Sequence, residues 1–532
     1  MRKLVGAVLL VAVAGLVQAE PANNDIDRII DQGLRHSKVM QTAEYMDDWI
    51  GGRLTNSPAM RTAEAWTMKQ YTAWGLKNVR KDGWEFGRGW SIVSSSVKMT
   101  SPRPLTLTAQ PVAWTPGTNG VVSAEIVVAP VKKERDFAPY HGKLKGKIVL
   151  VSLPDDGSEP AEAPFKRLTS EDIGKLDKYE NPEIDPDRID RWTKRLRFAT
   201  QLDKWLKDEG ALVAVKMSYR DGKLVHGEGY RFIKGDTAQV PWIEVAAEDY
   251  RRLTRLAKTG ANPKLEIDIQ VKWDDSDSKA YNIIAEIPGT SGGTEYVMAG
   301  AHLDSWIAGD GAADNGAGSN VVMEAARILA QSGVRPKRTI RFVLWAGEEQ
   351  GLLGSMAYIE KYLASRGLPD KPGMEAFIRW STKFPVKQLP GYKDLVAYFN
   401  IDNGSGRLHG IHAEGNVDAV PLLREWLQPF AGMGAGTVVS SPTGGTDHVF
   451  MQAVGIPAFQ FIQDPLDYMS RVHHSSIDTF DHLKADDMRQ ASVVLAGVLY
   501  EAANSAKTLP HMPLPTQPVP TSPFKYDDPA DD

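Results

Sequence analysis

Tyr296-Val297-Met298-Ala299-Gly300-Ala301-His302-Leu303-Asp304 passes from an apolar, strand-like run straight into a histidine and an aspartate. The same change recurs twice downstream. Residues 339–344 give way to Gly347-Glu348-Glu349, and residues 395–399 to Asn400-Ile401-Asp402. Further apolar runs at 281–287 and 456–461, with helical stretches at about 319–331, 352–366, 417–430 and 485–503, complete an alternation of strand, loop and helix. Such alternation predicts an α/β sandwich around a mostly parallel sheet. Active sites of open α/β sheets gather at the carboxyl ends of strands, and the polar residues fall there.

Each polar motif has a chemical and a plainer reading. His302 and Asp304 are two apart, so in extended backbone they share a side. The Asp304 carboxylate could then accept a hydrogen bond from the imidazole nitrogen that faces away from a metal. Asp314 lies among glycines and alanines at 310–318, small neighbours that let a carboxylate approach an ion; Asp-Asn-Gly is also an ordinary turn signal. Glu348-Glu349 is the most specific local signal. Neighbouring side chains leave the backbone in different directions, so one could bind metal while the other takes a proton from water. The plainer reading is a pair of acids at a helix N-terminus.

His473-His474 offers an imidazole at either position, and Asp478 a partner for it or a helix N-cap. Asp447-His448 lines a pocket or merely turns the chain. Together the imidazoles and carboxylates make the ligand mix of a hydrolytic zinc site.

Composition sets the bounds. At 532 residues the chain exceeds one ordinary core, so two domains are expected. The absence of cysteine excludes disulfides, thiolate zinc ligands and a cysteine nucleophile. A net charge of −5 with scattered basic residues gives nucleic acid no footprint. Arg2 and Lys3 precede an apolar run that ends at Val17-Gln18-Ala19, which reads as a cleaved export signal over residues 1–19. The run falls short of the about 20 apolar residues of a membrane span, so the mature form is expected to be secreted or periplasmic and without a membrane anchor.

Residues 24–76 read as helical and amphipathic, and 84–274 as a series of short β-like runs. A charged, proline-dotted stretch at 154–190 interrupts the latter; it reads as solvated surface, though an insertion of that length can cover a site. The proline-rich, acidic end reads as a disordered tail.

As an ordered set, Gly300-Ala301-His302-x-Asp304, Asp314-Asn315-Gly316, Trp345-Ala346-Gly347-Glu348-Glu349, Asn400-x-Asp402 and His474-x-x-x-Asp478-Thr479 resemble the double-zinc exopeptidases. That family includes bacterial secreted aminopeptidases and the plasma glutamate carboxypeptidase (carboxypeptidase Q) branch. Gly52-Arg53-Leu54-Thr55-x-Ser57-Pro58 and the His473-His474 pair bring the chain nearest to the latter branch. Upstream, residues 141–151 and Val240-Pro241-Trp242-Ile243 resemble the entry and end of a protease-associated (PA) domain.

The resemblance implies an α/β/α zinc-exopeptidase (phosphorylase/hydrolase-like) sandwich with an inserted, mainly β PA domain. The implied division is a signal at 1–19, an N-terminal part of the peptidase domain at 20–119, the PA insertion at 120–262, the catalytic domain at 263–506 and the tail at 507–532. It further implies two Zn2+ ions. His302 and Asp402 would hold one, Glu349 and His474 the other, with Asp314 bridging. Glu348 would be the general base and Asp304 the orienter of His302. Several relatives carry an oxyanion-stabilising tyrosine where this chain has His473, which leaves His473 or Tyr468 as the donor.

The reading is therefore a secreted or periplasmic zinc exopeptidase acting on dipeptides or short peptides, with a homodimer compatible with the resemblance. Its alternatives are a single-zinc, glutaminyl cyclase-like aminoacyltransferase and a catalytically silent binding protein of the same fold. Asp310 or Asp447 would meet a substrate ammonium, and Arg407 a substrate carboxylate.

Overall fold

The computed structural model describes residues 24–157, 163–178, 188–365, 385–514 and 516. The expected export signal and most of the expected tail lie outside them. Two eight-stranded sheets organise these residues.

The first sheet runs, edge to edge, Lys77–Glu85, Lys279–Ile287, Thr339–Trp345, Tyr296–His302, Leu395–Asn400, Ala458–Gln463, Leu408–His412 and Thr437–Val439. Its four central strands, from Thr339–Trp345 to Ala458–Gln463, are parallel. They are buried almost throughout, which is why they read as unbroken apolar runs. Alternation divides them between two cores. Val297, Ala299 and Ala301 face a core shared with helices Asn24–Arg35, Ala317–Gln331 and Ala485–Asn504, whereas Tyr296 and Met298 face one shared with Leu353–Tyr358 and Val449–Ala453. The expected α/β/α sandwich is thus present.

The second lobe enters between the two strands at one edge. Glu85 pairs with Lys279 at the end of an antiparallel pair, and the chain between them forms the second sheet. The outgoing strand Gly89–Ser101 and the returning strand Lys264–Asp274 pair with each other from Gly89↔Asp274 to Ser101↔Lys264. The expected boundaries at 120 and 262 therefore cut through one sheet; the lobe extends from 89 to 274. Beside this eight-stranded sheet, helices Arg188–Asp208 and Ala247–Lys258 supply Leu202, Trp205, Tyr250 and Leu253 to its cores.

Two further expectations are refined. Part of the charged insertion, 163–178, is largely exposed, as expected of a solvated surface, yet it is also tied to the peptidase sheet's carboxyl edge. Lys166 bridges to Leu466, Arg167 reaches Asp464 and Asp487 at 2.8 Å each, and Asp177 accepts from the Ser440 N–H at 2.9 Å. The catalytic unit also continues beyond 506. Leu509 is buried in the core and the Met512 N–H donates to the Gly455 carbonyl, so the described start of the expected tail is packed. Among the described residues no helix is long and apolar enough to cross a membrane.

Candidate metal centre

His302, Asp314, Glu348, Glu349, Asp402, His473 and His474 lie at or beyond the carboxyl ends of the central strands, whereas Asp447 follows the edge strand Thr437–Val439. His302 ends its own strand, 1% exposed, with its register partner Trp345 beside it. Its Nδ1 lies 2.9 Å from the Asp304 main-chain carbonyl. A carbonyl only accepts, so Nδ1 carries the proton and Nε2 presents its lone pair. The Asp304 carboxylate, expected as that acceptor, is 3.9 Å from Nδ1. It accepts instead from the Thr55 hydroxyl at 2.9 Å and from the N–H groups of Glu348 and Glu349 at 3.2 and 3.3 Å. The chain turns at Asp304, which carries the carboxylate away from the imidazole and toward the Glu348 loop.

That loop follows Trp345 through Gly347, whose φ of 74° suits a residue without Cβ. Glu348 points an oxygen toward His302 Nε2, 3.9 Å away. Asp402 leaves the next strand beyond Asn400, its Oδ1 3.4 Å from the same Nε2. Gln460 donates to the Asp402 carbonyl at 3.0 Å and so ties that corner to the following strand.

Asp314 occupies the middle. Its Oδ1 is 3.4 Å from His302 Nε2, and its Oδ2 is 3.3 Å from His474 Nε2. Asp478 fixes it by accepting from the N–H groups of Ala313 and Asp314 at 2.6 and 3.0 Å; it caps no helix there. Arg53, fully buried, donates to the carbonyls of Leu303, Asp310 and Gly311 at 2.7, 2.8 and 2.7 Å, clamping the loops on either side.

His474 Nε2 also lies 3.0 Å from Glu349 Oε2. Its ring stacks on His473 with centroids 3.7 Å apart. His473 Nε2 is 3.8 Å from Asp314 Oδ2. The buried Tyr468 ring stands edge-on to His473, its hydroxyl toward Asp314.

The electrostatics of this cluster call for cations. Burial pushes the Glu348 carboxyl well above the usual range, with His302 opposing and Asp402, Asp447 and Glu349 reinforcing the rise. Burial likewise carries Glu349 and Asp447 to about 7. Burial and the neighbouring His474 charge lower His473 to about 3, which keeps it neutral. Four polar atoms, His302 Nε2, Asp314 Oδ2, Glu349 Oε1 and Asp402 Oδ1, are buried without a hydrogen-bond partner. Unpartnered buried acceptors are costly unless something else satisfies them. Their atoms gather in groups within 4.8 Å, a set that fits metal binding.

Residues 282–499 match the sequence profile of peptidase family M28. Over those residues the chain carries an M28 peptidase domain. That is the double-zinc exopeptidase family its motifs resemble, and the protein is accordingly a metallo-exopeptidase. It is similar along most of its length to carboxypeptidase Q of Xenopus laevis, 25% identical over 498 residues that cover 92% of this chain and 90% of that one. Leupeptin-inactivating enzyme 1 of Streptomyces exfoliatus is 41% identical over 183 residues, about a third of each chain at 34% and 35%. Among solved structures, an M28 peptidase precursor from Shewanella amazonensis superposes with a TM-score of 0.65 at 22% identity, covering 93% of this chain and 99% of its own. BSAP, a zinc aminopeptidase from Bacillus subtilis, does so at 0.54 and 19%, covering 89% and 97%. At such identities these two likenesses speak for the fold.

The M28 domain gathers the expected residues unequally. His302, Asp314, Glu348, Glu349, Asp402, His473 and His474 come together. Asp447 is buried beside them, while His448 turns away to Glu414 at 3.2 Å. Asp310 gives its carbonyl to Arg53, and its side chain lies outside the cleft lined by Trp306, Asp314, Glu349 and His474. Arg407 is half-exposed and faces Asp487 at 3.7 Å, away from the metal-binding groups. Arg53, Thr55 and Glu228 were not anticipated as parts of the site. Arg53 and Thr55 stood in a quoted motif without a role. Glu228, 246 positions from the histidine it meets, carries no local signal.

Proposed function

We propose that this M28 peptidase is a secreted or periplasmic enzyme that hydrolyses the terminal peptide bond of dipeptides or short peptides with two zinc ions. The observation that carries this reading is the single carboxylate of Asp314 facing two imidazoles, one oxygen to each. It supports two donor sets with a shared bridge: His302 and Asp402 on one side, Glu349 and His474 on the other. Zinc held there supplies a Lewis acid for the scissile carbonyl and for the attacking water.

The remaining work falls to side chains. Glu348 accepts the proton of the attacking water and passes it to the leaving nitrogen; burial raises its carboxyl above the ordinary range, which makes it the stronger base. His473 donates to the developing oxyanion. It is neutral and 25% exposed, against 7% for the buried Tyr468 whose hydroxyl already faces Asp314. Asp304 holds the Glu348 backbone rather than the His302 ring. The second lobe is the PA module that residues 141–151 and 240–243 resemble; the strands Ile148–Leu150 and Trp242–Val245 share its sheet through Val213–Met217.

Asp447, a carboxylate beside the centre that belongs to neither donor set, favours a substrate that enters by its free α-ammonium. Comparing an N-acetylated dipeptide with its C-amidated counterpart tests this: the amide is cleaved and the acetylated peptide spared. Equal cleavage of both would refute it, and two bound zinc equivalents without hydrolysis of any short peptide would overturn the enzymatic reading. The homodimer is read out by sedimentation of the mature chain.

A further inference from the structure

The second lobe meets a candidate metal-binding histidine through Glu228. Glu228 Oε1, from the segment between the strands Val213–Met217 and Trp242–Val245, lies 2.8 Å from His474 Nδ1. The geometry points to Glu228 as a positioning residue that fixes His474 for zinc from outside the peptidase domain. This rests on the zinc reading above and extends it to a residue of the inserted lobe.

Three independent features support it. The first is the hydrogen-bond logic. A carboxylate accepts the Nδ1 proton, so Nε2 keeps its lone pair, and Nε2 is the atom turned to Glu349 and Asp314 at 3.0 and 3.3 Å. The second is how firmly Glu228 is held. The Tyr219 hydroxyl donates to the same Oε1 at 3.1 Å, and Lys216 Nζ donates to the Glu228 carbonyl at 3.3 Å. Flanking glycines allow the segment to pack closely: a Cβ on Gly229 would come within 2.2 Å of the Ala113 carbonyl oxygen, and Gly227 has φ of 72°.

The third is the grip on the histidine loop itself. Arg220 donates to the carbonyls of His473 and Met469 at 2.5 and 3.1 Å, and the Ser476 N–H donates to the Val225 carbonyl at 2.9 Å. Residues 220–228 thus hold the loop on both sides of His474. That residue has φ of 61°, a left-handed backbone a non-glycine residue keeps only when its surroundings impose it.

The two histidines differ as a result. His302 leans on a neutral main-chain carbonyl, His474 on a carboxylate. A charged acceptor makes the imidazole the stronger donor, and losing such a partner costs about 10- to 100-fold in metal affinity. The zinc position of His474 and Glu349 therefore fills first, and the lobe sets its affinity.

The test is zinc titration of the full-length mature chain against a competing chelator, with Glu228→Gln, Glu228→Asp and Tyr219→Phe beside the parent. In the parent, two zinc equivalents bind, the first more tightly. In Glu228→Gln the tighter equivalent weakens about 10- to 100-fold while the other is unchanged. Glu228→Asp recovers part of the loss, and Tyr219→Phe gives a smaller one. Combined with His474→Ala, Glu228→Gln adds nothing further. Parent-like zinc binding in a folded Glu228→Gln, or a further loss in the His474→Ala background, overturns the inference. A parent that binds no zinc overturns the metal reading instead. Far-UV circular dichroism melts identify a variant that fails to fold, and Tyr219→Phe, which keeps the ring stacked on His226, then decides.

Discussion

His302 Nδ1 lies 2.9 Å from the main-chain carbonyl of Asp304, and the Asp304 carboxylate is a full ångström farther, at 3.9 Å. The ring is oriented by backbone, which no side-chain substitution at 304 removes. The carboxylate instead gathers Thr55 and the N–H groups of Glu348 and Glu349. Asp304→Asn is therefore expected to keep both zinc equivalents and lose about 10- to 100-fold in kcat through a displaced Glu348. Loss of the zinc held by His302, read by metal analysis, would return the orienting role to the carboxylate.

Glu348 lies nearest the reacting water in this scheme but holds no metal. Glu348→Gln should retain two zinc equivalents and lose about 10²–10⁴-fold in kcat, the range of a lost general base. Near-parent turnover in that variant would remove Glu348 from the mechanism.

His473 and Tyr468 compete as oxyanion donors, and the structure favours the histidine. Loss of one such donor costs about 10²–10³ in kcat. His473→Phe should show a loss of that size with zinc content intact, and Tyr468→Phe a smaller one. The reverse order, measured as kcat at saturating substrate, would transfer the role to Tyr468.

Zinc removal should act on stability as well as on turnover. Without a cation the centre packs carboxylates against one another with unpartnered acceptors, so the apo-protein melts lower. Ligand linkage raises stability by about 2.7 kcal/mol at a free zinc concentration 100 times Kd. Calorimetry with chelator and then with zinc restored checks this; a melting temperature indifferent to zinc would contradict it.

The arm at 163–178 docks through Asp464, and its pH dependence follows. Burial alone would raise that carboxyl, but His409, the Leu168 N–H and Arg167 hold it below the ordinary range. A lowered folded value stabilises docking above the unfolded pKa of about 3.9 and is lost as pH falls through the folded value. Limited proteolysis at neutral pH should therefore spare the arm in the parent and cut it faster in Arg167→Ala. Unchanged cleavage would mean that the clasp contributes nothing.

Much of the site was legible because its residues follow strands. Central parallel strands buried on both faces leave unbroken apolar runs, and the first polar residues after 301, 345 and 399 mark their carboxyl ends. His302, Glu348, Glu349 and Asp402 could be read in that way. Asp304 follows the same strand, yet its carboxylate turns to Thr55 and the Glu348 loop and not to the His302 ring, because strand alternation no longer holds once the chain turns. The lobe boundaries were set too narrowly for a related reason: the strands at 89–101 and 264–274 are recognisable singly, but their pairing across the insertion leaves no local trace.

The sequence alone determined the alternating α/β pattern, the absence of thiol chemistry and the ordered set of imidazoles and carboxylates. These depend on periodicity and residue type, which are local. Only the tertiary structure decided that Asp314 faces both histidines, that Arg53 clamps the loops around them, and that Glu228 of the inserted lobe meets His474. Each of those contacts joins residues far apart along the chain. Their physical cause is how two sheets and the loops at their edges pack together, and not the residues on either side in sequence.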